Sequence, residues 1–177
     1  MKTHLIYDNE GHFLNKIILI CGKICSGKTV YAKNIAEKEN AIILSVDELM
    51  LTLFGQHVGE KHDEMVEKTE NYLYKKSVEL ISKGINVILD WGFWTKEERL
   101  NATKYYTNKG IKAEWHYIEI DDVTWKKYLE KRNNAIINNE QEFYYIDENI
   151  QKKFWDIFEE PEPDEMDVWY KAKDISS

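Results

Sequence analysis

Apolar positions along this chain fall into two kinds of pattern. Lys16-Ile-Ile-Leu-Ile-Cys-Gly22 is a short continuous apolar run rich in Ile, which suits a strand covered on both faces. Ala41 to Val46 predicts a second buried strand, Ile85 to Leu89 a third that ends at Asp90, and Lys112 to Ile120 a fourth. Helical patterns lie between them. Residues 28–38 form the first. Residues 63–83 carry apolar pairs at Met65/Val66, Tyr72/Leu73 and Leu80/Ile81, giving a long amphipathic helix that Gly84 stops. Thr95-Lys-Glu-Glu98 is a capping box opening a helix to Asn108, ended by Gly110. Asp121 or Asp122 can cap a helix through residue 138, and a further helix covers 147–158 before Pro161 and Pro163. A hairpin around Asn9-Glu10-Gly11 would join residues 4–7 to 13–14.

Strands alternating with helices predict an α/β protein with three layers and a mainly parallel sheet. There is no internal repeat and no low-complexity linker, so residues 1–177 read as one domain. The chain is 43% hydrophobic and 32% charged, enough to bury a core without disulfides or a structural metal. The longest apolar run, Ile17 to Cys21, is too short for a membrane span or a signal-peptide core. Cys21 and Cys25 then read as reduced thiols of a cytoplasmic protein. His57 and His62 are five apart, the wrong spacing for a metal pair on one helix face.

Charge refines this picture. Residues 1–139 hold 20 acids and 20 bases, and residues 140–177 hold 12 acids and 4 bases, so the net −8 lies wholly in the second stretch. Its commonest meaning is a solvated acidic tail; the alternative is one wall of a binding pocket. Arginine occurs only at Arg99 and Arg132, against 22 lysines.

The most specific signal is Gly22-Lys23-Ile24-Cys25-Ser26-Gly27-Lys28-Thr29, which fits G-x-x-x-x-G-K-[ST] between a buried strand and a helix. Such a loop turns successive backbone N–H groups onto phosphate oxygens, and the helix dipole points at the same anion. Lys28 reaches the β and γ phosphates of ATP, and the Thr29 hydroxyl ligates Mg²⁺. In open α/β sheets ligands bind beyond the carboxyl ends of the strands, where Asp47, Asp90 and Asp121 fall. Asp47 and Asp90 suit the nucleophile-orienting and metal-side roles of phosphoryl transfer; Asp121 reads as a helix cap. For Asp47, capping a helix at Glu48 is the competing explanation. Lys126, Lys127 and Lys131 read as a solvated face, while Arg132 offers a fork for phosphate on a lid over 121–139. Arg99 stands in a first helical turn against the dipole, which points to an anionic partner.

Several segments together resemble a known group: the phosphate loop, Ser45-Val46-Asp47-Glu48, Leu53-Phe54-Gly55, Ile88-Leu89-Asp90-Trp91-Gly92-Phe93-Trp94 with Arg99 following, Lys131-Arg132-Asn133 and Phe158-Glu159-Glu160-Pro161. They resemble the small P-loop kinases of the AAA-domain ATP-binding group, relatives of polynucleotide kinase, zeta toxin and chloramphenicol phosphotransferase. The resemblance covers roughly residues 16–166. It implies phosphorylation of a hydroxyl, with Asp47 as general base, Asp90 as the second strand-end acid and Arg132 as lid arginine. The polynucleotide-kinase pattern has an arginine three residues after the base and a second lid arginine four after the first. Here those positions are Met50 and Ile136.

The expected activity is therefore transfer of a phosphoryl group from Mg-ATP to a small-molecule hydroxyl (a nucleoside, sugar or antibiotic). Trp91, Trp94, Arg99 and Glu159 join Asp47 and Asp90 as candidate acceptor contacts. A polynucleotide 5′-hydroxyl kinase is the alternative, disfavoured by Met50, Ile136 and the sign of the charge. A nucleotide-driven switch without an acceptor is the third.

Overall fold

The computed structural model describes residues 15–55, 59–138 and 144–173. The expected hairpin near Asn9 and the position of His57 lie outside them. Five strands form one sheet: β1 (Ile17–Cys21), β2 (Ala41–Ser45), β3 (Asn86–Asp90), β4 (Ala113–Glu119) and β5 (Val168–Lys171). Their order is β2-β3-β1-β4-β5, and every pairing is parallel. The expected α/β class is correct, and the sheet is parallel throughout the described residues.

The central strand explains the pattern that announced it. All five residues of β1 are fully buried. Ile17, Leu19 and Cys21 face one core, and Ile18 and Ile20 face another, as the two-residue period of a strand requires. Helix α1 (Lys28–Glu39) covers the Ile18 side through Ala32 and Ile35. Helices α3 (His62–Ile81) and α4 (Lys96–Thr107) cover the other through Leu73, Ile81, Ala102 and Tyr106. Helix α2 (Val46–Phe54) follows β2 directly.

Local signals hold where they rest on hydrogen bonds. Thr95 and Glu98 make both halves of the capping box, at 3.1 and 3.0 Å. Asp121 caps helix α5 (Asp122–Ile137), accepting from the backbone N–H groups of Val123 and Thr124 at 3.0 Å each. Helix α6 (Glu148–Ile157) opens on Asp147.

Two expectations fail for reasons of neighbourhood. The segment from Ala41 is a strand but not a buried one, because β2 is an edge of the sheet with one neighbour. Val46, expected to close it, is the first residue of α2. The acidic stretch is not a solvated tail. Among the described residues it adds β5 beside β4, and three of its acids are tied down. Asp167 accepts the backbone N–H of Trp115 at 2.8 Å, Glu160 the Tyr117 hydroxyl at 3.0 Å, and Glu165 the Arg99 Nε at 3.0 Å.

Candidate functional site

The phosphate loop runs from the end of β1 into α1, at the point where the chain departs to opposite sides of the central strand. Gly22 sits at φ 152°, and a Cβ there would lie 2.8 Å from the Ile118 carbonyl oxygen. The close pass of the loop over β4 thus demands glycine. Gly27 precedes α1 with no side-chain cap. Among the described residues, α1 is the one α-helix with neither a side-chain cap nor an acid in its first turn. Its first N–H groups are left for an outside acceptor, which is what a bound phosphate supplies. The Ser26 hydroxyl, enclosed in the loop without a partner, adds a further polar atom there. The loop therefore fits a nucleotide phosphate.

Lys28 folds back over its own loop, donating from Nζ to the Gly22 carbonyl at 3.0 Å and the Lys23 carbonyl at 2.8 Å. Burial pulls this ammonium below the ordinary lysine range, while the nearby Asp90, Cys25 and Asp47 oppose the shift. Asp90, only 5% exposed, ends β3 in register with Ser45 of β2 and Ile20 of β1. Burial raises its carboxyl above the usual carboxylate range; a hydrogen bond from Thr29 and the charge of Lys28 pull back, and Asp47 pushes it further up. A hydroxyl and a buried carboxylate side by side are hard oxygen donors, and a divalent cation there would offset the strain of burying the charge. Thr29 and Asp90 fit Mg²⁺.

Asp47 is not the cap of α2. Ser45 is, accepting from the Glu48 N–H at 3.3 Å, and Asp47 stands exposed in the first turn. It lies close enough to act electrostatically on Lys28, Asp90, Cys25 and Tyr144. Asp90 at the end of β3 and Asp47 in the first turn of α2 thus both act on the loop lysine.

Helix α5 closes the loop from above. Trp125 Nε1 donates to the Ile24 carbonyl at 2.8 Å, and a Cβ at Gly27 would lie 3.1 Å from the Tyr128 ring. Arg132 donates from Nη2 to the Tyr144 carbonyl at 3.1 Å and from Nη1 to Cys25 Sγ at 3.8 Å. The arginine singled out by its scarcity does reach the loop. Burial pushes the Cys25 thiol up, with Arg132 and then Lys28 opposing.

The remaining candidates go elsewhere. Trp91, 8% exposed, stacks on Phe93 and meets Tyr74 edge-on in the core. Trp94 lies flat against Gly92, where a Cβ would be 2.4 Å from its ring, and packs on Phe154 at 4.0 Å between centroids. Arg99 is 2% exposed and binds no open site: its Nε holds Glu165, and its Nη1 donates to the Glu159 carbonyl at 2.9 Å. The Glu159 carboxylate accepts from the Lys96 N–H at the start of α4, at 2.6 Å. Arg99 and Glu159 therefore fasten the acidic stretch to the sheet. The anionic partner that Arg99's position called for exists, but it is internal.

Three residues of α5 escaped the sequence reading. Trp125, Tyr128 and Leu129, with Arg132, form an i, i+3, i+4, i+7 stripe, and that spacing was visible. Tyr144 has a buried hydroxyl with no partner and lies in the field of Asp47. Its aromatic ring is legible in the sequence as a stacking candidate, but its place beside Asp47 comes only through the fold.

The AAA-domain family pattern matches residues 17–151. No curated protein matches the chain in sequence. A sugar kinase from Janibacter sp. HTCC2649 superposes with a TM-score of 0.62 at 16% identity, covering 89% of this chain and 86% of that one. The APS kinase CysC of Mycobacterium tuberculosis, in complex with AMPPNP and APS, gives 0.62 at 17%, covering 89% and 88%. A chain of the Pnkp1/Rnl/Hen1 RNA repair complex gives 0.66 at 20%, covering 83% of this chain but 44% of that one. At these identities the likeness is one of fold. Among the described residues no helix is long and apolar enough to cross a membrane.

Proposed function

The chain belongs to the AAA-domain family, and on that premise we propose that it is a P-loop kinase passing a phosphoryl group from ATP to a hydroxyl of a small molecule. The observation that carries this reading is a loop lysine under the charge of two carboxylates, Asp90 at the end of β3 and Asp47 in the first turn of α2 just after β2. Asp90 is buried against Thr29 and suits the metal side. Nucleotide binding has no need of the second acid. Asp47 is exposed, acts on the same ammonium, and is reachable by an outside hydroxyl.

The residues divide the work accordingly. The first N–H groups of α1 and Lys28 bind the phosphates, and Thr29 and Asp90 hold Mg²⁺. Bound Mg-ATP supplies the transferable group and a neutralised phosphate chain. Asp47 orients the acceptor hydroxyl and takes its proton as the oxygen attacks. Arg132 meets the developing charge from the lid helix α5, where its contact with Cys25 already sets it over the loop.

A small acceptor is favoured over a polynucleotide by Met50. It is 1% exposed and meets Thr69 in the core, 3.3 Å from Sδ to Oγ1, so that position offers no cation to a substrate phosphate. The test is a screen of nucleosides, sugars and antibiotics for acceptor-dependent ATP consumption. At least one hydroxyl compound should raise turnover, and Asp47→Asn should abolish that rise. If no compound does so and Asp47→Asn leaves hydrolysis intact, the kinase reading is wrong.

A further inference from the structure

Beside the phosphate loop lies a cavity of 190 Å³ that none of the roles above uses. Its walls are aromatic: Trp125 from α5, Phe154 and Trp155 from α6, and Phe158 just after it. Lys23 and Ile24 of the loop form its inner side. We infer that this cavity is the acceptor subsite and takes a flat, uncharged ring, so that the phosphorylated hydroxyl is carried on a nucleoside-like or other aryl compound. The inference rests on the kinase reading and sharpens it.

Three observations carry it. The first is position. Lys23, which lines the cavity, also gives its backbone carbonyl to Lys28 Nζ at 2.8 Å, so one loop residue joins the cavity to the ammonium that handles the transferred phosphate. A ring seated there holds its substituents beside the reacting centre.

The second is charge. Among the described residues that line the cavity, the ionised groups are Lys23 and Glu160, and they cancel. Both are already engaged. The Lys23 ammonium stands 4.2 Å from the centre of the Trp155 ring and 3.7 Å from Asp122, and Glu160 accepts from Tyr117. A polyanion gains nothing from such a wall, and a polycation meets Lys23. Aromatic faces around a neutral cavity favour an uncharged π system.

The third is size. A closed apolar cavity of about 150 Å³ accepts benzene, whereas sites for whole drug-sized ligands begin near 300 Å³. The cavity therefore has room for one ring, and the hydroxyl-bearing part of the acceptor lies outside it. The walls are also fixed in place. Trp125 is held by the Ile24 carbonyl and meets Trp155 at 5.3 Å, and Phe154 is backed by Trp94. Glu159, between Phe158 and Glu160, donates its N–H to the Trp94 carbonyl at 2.8 Å.

Calorimetric titration of the full chain saturated with AMPPNP tests this. The probes are uridine, guanosine and 1-phenyl-1,2-ethanediol, with ribose and glycerol as ring-free controls. At least one aryl probe should bind ten times more tightly than either control. Trp155→Ala should remove that advantage, and Trp155→Phe should restore most of it. Trp155 is 46% exposed, so both variants should fold, and a thermal melt verifies it. Equal binding of aryl probes and controls overturns the inference, as does aryl binding indifferent to Trp155→Ala. Aryl binding without any turnover would keep the cavity assignment and refute the kinase reading instead.

Discussion

Glu165→Gln is a sharp test of how the acidic stretch is held. The Arg99 guanidinium is almost wholly enclosed, with its side chain 3% exposed, and Glu165 is 16% exposed. Little water reaches the pair to screen it. The amide in place of the carboxylate keeps the shape and can still accept from Nε, but it removes the charge. Arg99 is then a buried cation with only neutral acceptors, the carbonyls of Glu159 and Phe93. Breaking a buried pair by removing one partner costs about 3–5 kcal/mol. The retained hydrogen bond places this case near the lower figure. For a domain of this size about 3 kcal/mol lowers the melting midpoint by about 6–12 °C. Thermal unfolding followed by circular dichroism measures it. The double variant Arg99→Met with Glu165→Gln should lose less than the two single changes summed, because the stranded charge is gone. A midpoint for Glu165→Gln within about 2 °C of the parent would refute the argument that this pair anchors the stretch.

Other outcomes follow from the same geometry. The bond to Arg99 holds the Glu165 carboxyl below its usual range despite the opposing effect of burial, so its stabilisation is complete above about pH 4.3 and lost as pH falls through the folded value. Acid titration of stability should be shallower in Glu165→Gln, and an unchanged acid limb would contradict this. Lys28→Ala should lower turnover at least about tenfold by removing a clamp on the transferred charge. Asp47→Asn should lower acceptor-dependent turnover by at least about a hundredfold while nucleotide binding persists; loss of binding instead would assign Asp47 to the nucleotide. Burial pushes the Cys21 thiol up to about 12, and its Sγ lies 3.7 Å from Met166 Sδ, so thiol reagents at neutral pH should reach it only after unfolding.

What could be read from the sequence was whatever is decided within a few residues. The loop from Gly22 to Thr29, the box at Thr95 and the cap at Asp121 are local hydrogen-bonding patterns, and each formed as its spacing required. The five apolar residues of β1 declared a strand covered on both faces. Strand β5 was invisible because Val168-Trp-Tyr-Lys171 is four residues inside an acidic stretch, alternating between half-buried and exposed positions. It becomes a strand by pairing with β4, about fifty residues away in the chain, where Trp169 lies opposite Tyr117 and donates from Nε1 to the Glu119 carboxylate at 2.8 Å. The edge position of β2 was equally hidden, since neighbours are assigned by topology rather than composition. For the site, strand ends pointed to Asp47 and Asp90. They could not show that Trp91 faces the core while Trp155, sixty-four positions later, borders the phosphate loop.

The posture of Lys28 has a consequence for how nucleotide enters. Its ammonium is already coordinated by two carbonyls of the loop it serves. An arriving phosphate therefore does not meet a bare cation; it competes with an internal ligand set for the same protons. Binding becomes an exchange, and its net gain is the difference between a charged acceptor and two neutral ones, a margin of about 1–2 kcal/mol per bond. That arrangement disfavours weakly charged anions, which cannot outbid the carbonyls, and reserves the loop for the dense negative charge of a polyphosphate. It also keeps a half-buried lysine solvated by backbone, so the loop does not have to close around an unpaired charge.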